Sequence, residues 1–116
     1  ILLSLTRPGG DGAVTLLHTG VSDWSHHTRR ADILVAAAGR PGIIRPEHVK
    51  PGAVVIGAGV RYSGHNLLAD VDDSVAEVAG WITPRVGGVG PTTVAMLFRN
   101  AVDCAERRQA ETYETS

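Results

Sequence analysis

The sequence predicts an α/β fold: a Rossmann-type, doubly wound parallel sheet that lacks its first strand and ends in one long helix. Three observations carry this reading. Short apolar runs at residues 13–18, 32–38 and 53–56 show no polar alternation, the pattern of strands covered on both faces of a parallel sheet. Stretches with helical or turn character separate these runs at βαβ spacing. Beyond them, Pro91 opens a run from Thr92 to about Gln109 in which Val94, Leu97, Phe98, Ala101 and Val102 recur at helical spacing.

Taken in order, residues 1–6 read as the last turn of a helix, stopped by the proline and glycines of residues 7–12. Residues 13–18 are the first strand present. Ser22 and Asp23 offer an N-cap for a short helix through Arg30, and residues 32–38 form the next strand, closing on Gly39. Residues 45–50 make one helical turn, Pro51-Gly52 breaks it, and residues 53–56 run as a buried strand into Gly57-Ala58-Gly59. A loop spans residues 63–66, a weaker helix residues 74–79, and a short strand residues 81–83 before Pro84. Residues 1–109 are read as one nucleotide-binding domain and residues 110–116 as a disordered tail. The chain opens on Ile1 within an apolar run, which reads as a fragment of something longer.

Composition narrows the partners. The 116 residues are 43% hydrophobic and 20% charged, as in ordinary globular chains. A formal net charge of −1 with 4% aromatics gives neither a phosphate-neutralising face nor a base-stacking platform, which argues against nucleic acid. No run approaches the length of a membrane span. A single cysteine, Cys104, has nothing to pair with inside the chain, as expected in the cytoplasm. His26-His27 lacks a third ligand at useful spacing, and Asp70, Asp72 and Asp73 lack the glycine and distant glutamate of a calcium loop.

Candidate binding residues cluster after the apolar runs. No acid follows residues 13–18; Thr19 stands there instead, and a hydroxyl accommodates a ribose phosphate that an acid would repel, which favours NADP over NAD. Thr19 also fits a plain turn. Gly39 and residues 57–60 follow the next two strands, at the end where ligands sit in open α/β sheets, although any such turn accepts glycine. The string Gly87-Gly88-Val89-Gly90-Pro91-Thr92-Thr93 reads as a binding loop, with unpaired N–H groups of the following helix facing an anion or polar ring.

Residues 31–39 (ADILVAAAG), 49–56 (VKPGAVVI), 69–72 (ADVD), 82–84 (ITP) and 87–95 (GGVGPTTVA) together resemble the nucleotide-binding domain of the methylenetetrahydrofolate dehydrogenase/methenyltetrahydrofolate cyclohydrolase family, in family order and spacing. The resemblance implies oxidation of methylenetetrahydrofolate by NADP and hydrolysis of the methenyl product to formyltetrahydrofolate. It implies cofactor contacts at Thr19, Gly39, Val60, Gly90 and Thr93, substrate contacts at Gly87, Gly88 and Val89, tetrahydrofolate derivatives as ligands, and a homodimeric parent. It also implies that the catalytic lysine belongs to an N-terminal domain and that the phosphate-binding turn precedes Ile1, so this chain carries no catalytic residue. Two positions depart from the family: Gly57 replaces an aspartate and Val86 a proline. The competing readings are a non-catalytic Rossmann remnant or interaction module, and another Rossmann dehydrogenase, against which the GGVGPTT string argues.

Overall fold

A computed structural model describes residues 12–114. The helix end expected at residues 1–6, most of the turn after it, and the last two residues lie outside the described residues. Helix α1 (Trp24–Thr28) is followed by strands β1 (Ile33–Ala36), β2 (Val54–Gly57), β3 (Val60–Ser63), β4 (Asn66–Ala69) and β5 (Trp81–Ile82), and then by helix α2 (Val89–Glu114). Short 3-10 turns at Pro46–His48 and Asp73–Glu77 stand where a helical turn and a weak helix were expected.

Strands β1, β2 and β5 form a parallel sheet in that spatial order, with Leu34 beside Val55 and Val55 beside Ile82. The parallel pairing is the one expected of the apolar runs, although the connections within the sheet carry 3-10 turns and a hairpin rather than α-helices. An all-parallel sheet puts every strand's carboxyl end on one edge. Period-two alternation then sorts the side chains. Leu34, Ala36 and Val55 face a core that Ile44, Val49, Ala53, Val71 and Val75 complete, with Trp24, Ile43, Val78, Ala79 and Ile82 packed around it.

Four expectations need correction. Residues 13–18 join no ladder among the described residues, and Leu16 is 74% exposed; apolar β-branched residues make a strand only where a neighbour supplies hydrogen bonds. Among the described residues the sheet is covered on one face only, since Ile33, Val35 and Trp81 on the other face are exposed. The loop foreseen at residues 63–66 is the tip of an antiparallel hairpin, β3 with β4. Its strands, β3 exposed throughout and β4 partly buried, gave no long apolar run, but Gly64, with φ 62° at the first of two loop residues, is a hairpin mark.

Fourth, α2 begins three residues before Thr92 and runs past Gln109, through part of the expected tail. Pro91 is its third residue, still within the first turn, where an N–H would have no intrahelical partner. The foreseen apolar stripe exists, but Val94, Leu97, Phe98 and Val102 are all exposed. Cys104 lies on α2 and is exposed too. No helix among the described residues is long and apolar enough to cross a membrane.

Candidate functional site

The candidate site is the edge where β1, β2 and β5 end. The chain leaves β1 through Ala37 and Ala38 to Gly39, which turns with φ 66°. It leaves β2 at Gly57, and Ala36 O accepts the N–H groups of Ala58 (2.8 Å) and Gly59 (3.1 Å), which stitches the two exits together. After β5, Thr83 Oγ1 accepts the Gly57 N–H at 2.9 Å, while the Thr83 N–H donates to Val55 O at 3.0 Å. Thr83 thus ties the ends of β2 and β5 by both backbone and side chain. Thr83→Val keeps the shape and leaves the Gly57 amide without its partner; a loss of about 1 kcal/mol in denaturant unfolding is expected, and an unchanged midpoint would show that water replaces the hydroxyl.

A second layer comes from the segment after β4. The Asp70 side chain is buried at 2% exposure, and its Oδ2 accepts N–H groups from Ala38 (2.6 Å) and Gly39 (2.8 Å). Two residues on, Asp72 caps the following 3-10 turn, accepting from Ser74 Oγ (2.5 Å) and Ser74 N (3.0 Å). Those bonds, the hydroxyl's first and the amide's next, hold the Asp72 carboxyl below the usual carboxylate range, with smaller help from Arg45 and Arg85. The unfolded chain therefore takes up this proton at higher pH than the native one. Asp72 contributes stability above its unfolded pKa and loses it as pH falls through the lowered native value. Asp72→Asn should flatten the acid limb of melting temperature against pH; an equally steep limb would remove Asp72 as its cause.

A cavity of about 150 Å³ opens beside this edge, lined by Gly57, Val60, Val71, Ile82, Thr83 and Arg85 among others. Arg85 pairs with Asp73 at 2.7 Å on its rim. Among the described residues no group of three or more His, Cys, Asp or Glu is placed to hold a metal ion.

The sequence-predicted residues fall into three places. Gly39 and Val60 lie on the strand-end edge, linked through Asp70 and Gly59. Gly87 (φ 74°) and Gly88 form the turn between β5 and α2, and Gly88 packs so tightly on the Pro84 carbonyl oxygen that a side chain there would overlap it. Val89 and Gly90 open α2 and Thr93 begins its second turn, where Thr93 Oγ1 donates to Val89 O at 2.9 Å. Thr19 sits apart in an exposed turn that the Val21 N–H closes on His18 O. Asp70 and Thr83 were missed as site residues. For Asp70 the available signal was an acid set between apolar Ala69 and Val71 directly after a strand.

A parallel α/β sheet with glycine-lined strand exits along one edge defines a dinucleotide-binding class of domain. The model of the family described as tetrahydrofolate dehydrogenase/cyclohydrolase, NAD(P)-binding domain, matches residues 1–109, and the chain belongs to that family. It is 64% identical over 110 residues to Bifunctional protein FolD 1 of Salinispora tropica, covering 95% of this chain and 36% of the relative. Bifunctional protein FolD of Syntrophotalea carbinolica is 58% identical over 108 residues, with 93% and 37% covered.

Two solved structures share the fold. The bifunctional 5,10-methylenetetrahydrofolate dehydrogenase/cyclohydrolase of Thermoplasma acidophilum superposes with a TM-score of 0.80 at 36% identity, over 86% of this chain and 37% of that one. The Trypanosoma brucei methylenetetrahydrofolate dehydrogenase-cyclohydrolase, complexed with NADP cofactor and inhibitor, gives 0.71 at 38% identity, over 81% and 35%. The chain thus spans little more than a third of the relatives it matches.

Proposed function

We propose that this chain is the NADP-binding segment of a bifunctional enzyme that oxidises methylenetetrahydrofolate and hydrolyses methenyltetrahydrofolate to formyltetrahydrofolate. The observation that carries the reading is the 64% identity to a bifunctional FolD protein, sustained across 95% of the chain and so across every strand of the candidate edge. The local chemistry fits the cofactor. Gly39 and Gly57 present backbone without side chains, and Val60 offers a half-exposed apolar surface to a ring. Thr19, set apart from that edge, carries a hydroxyl rather than the carboxylate that would repel a ribose phosphate.

When bound, NADP accepts a hydride from the folate carbon. The chain's own part is to bind and orient. The strand-end edge at Gly39 and Val60 shapes the cofactor surface, Gly90 and Thr93 border it from the start of α2, and Gly87, Gly88 and Val89 face the folate. The general base of the hydrolysis belongs to the upstream portion that the relatives possess, with which this chain forms the cleft. The assembled enzyme is a cytoplasmic homodimer without membrane association.

The test joins this chain to the upstream two thirds of the Salinispora tropica relative and follows nicotinamide reduction with methylenetetrahydrofolate, using NADP or NAD. NADP-dependent turnover supports the reading. A folded hybrid that binds neither nucleotide sinks it and leaves the interaction-module alternative. Within the same hybrid, Thr19→Glu is expected to weaken NADP by roughly tenfold or more while sparing NAD, since the carboxylate repels the ribose phosphate; equal loss of both cofactors would place Thr19 away from that phosphate.

A further inference from the structure

We propose that Asp70 is a positioning residue for the cofactor edge: its buried carboxylate turns the amides of Ala38 and Gly39 inward, so that this turn meets an uncharged ribose or ring portion of the cofactor and not its phosphates. The inference rests on the cofactor reading given above.

The geometry leaves Asp70 little freedom. Its N–H donates to Gly59 O at 2.9 Å and its carbonyl accepts from Ile44 N at 3.0 Å, so the backbone that carries the side chain is fixed on both sides. From there one oxygen, Oδ2, takes both the Ala38 and the Gly39 amide. Successive N–H groups at the end of a strand otherwise make a concavity that attracts anions. Here a resident anion already fills it, and a phosphate brought to the same turn would meet a carboxylate instead of donors.

Gly59 belongs to the same device. A side chain at position 59 would overlap the Asp70 carboxylate, so Gly59 must stay bare for Asp70 to reach the turn. One aspartate therefore joins the exit of β1, the exit of β2 and the root of the hairpin. Each end of the edge depends on it.

Because a single oxygen accepts both amides, asparagine can keep both bonds, whereas alanine loses them. Amide hydrogen exchange at Ala38 and Gly39 and NADP affinity are measured in the hybrid enzyme described above, with this chain unsubstituted or carrying Asp70→Asn, Asp70→Ala, Gly59→Ala or the Gly59→Ala/Asp70→Ala pair. Asp70→Ala should speed exchange at both amides and raise the NADP Kd by roughly tenfold or more, and Asp70→Asn should restore most of both. Gly59→Ala should mimic Asp70→Ala, and the double variant should be no worse than Asp70→Ala alone, since the overlapping carboxylate is gone. Unchanged exchange in Asp70→Ala overturns the positioning role, as does an unchanged Kd with faster exchange. No NADP binding by the unsubstituted hybrid overturns the cofactor reading instead, and the exchange data still decide whether Asp70 holds the turn.

Discussion

Val55→Asp will abolish the cooperative melting transition. Val55 has no solvent exposure, lies in the middle strand of the sheet, and is flanked in register by Leu34 and Ile82. Trimming it to alanine removes two buried carbons and leaves a void, a loss of about 2 kcal/mol. Aspartate adds a carboxyl group with no partner at that depth, and such a change costs about 4 kcal/mol or more. A small domain has roughly 5–15 kcal/mol to lose in total. With one sheet face open, this one has a thin core. Circular dichroism melts of the two variants separate the terms: a stepwise fall from Val55 to Ala to Asp is expected. A sharp transition in Val55→Asp close to that of the unsubstituted chain would mean that the centre of this sheet is not the core.

Gly88→Ala is expected to damage the loop more than the fold. Its new methyl group would overlap the backbone oxygen of Pro84, and a backbone atom cannot swing aside as a side-chain tip can. Residues 84–88 must shift together, while Thr83 stays tied to Gly57 and Val55. A displacement of about 1 Å at a substrate-positioning loop costs on the order of a hundredfold in turnover. In the hybrid enzyme, dehydrogenase kcat/KM should therefore fall by that order while the melting temperature moves only slightly. A large drop in melting temperature with unaltered kcat/KM would make Gly88 a structural residue and remove this loop from the folate cleft.

The apolar runs at residues 32–38 and 53–56 made β1 and β2 legible because continuous β-branched and aliphatic residues favour strand wherever a ladder can form. The same signal misled at residues 13–18, where no partner strand is present among the described residues. Periodicity found α2 but could not say what its apolar stripe touches, since Leu97 and Phe98 pattern alike whether covered or bare. The hairpin was illegible because residues 60–63 and 66–69 pair with each other and, Ala69 apart, bury little, so no periodic face marks them. In the site, glycine strings pointed to the edge where the parallel strands end. The Asp70 network stayed hidden because its bonds join residues 31 and 32 positions apart in the chain, a separation no local pattern encodes.

The β3 and β4 hairpin stands outside the parallel sheet, locked at its root and open at its tip. For a protein engineer that makes residues 64 and 65 a natural port. A fluorophore, an affinity tag or a short inserted peptide placed there breaks no bond of the main ladder, yet it rides on an arm whose base adjoins the candidate site. A dye at this port would report events at the strand-end edge without occupying it.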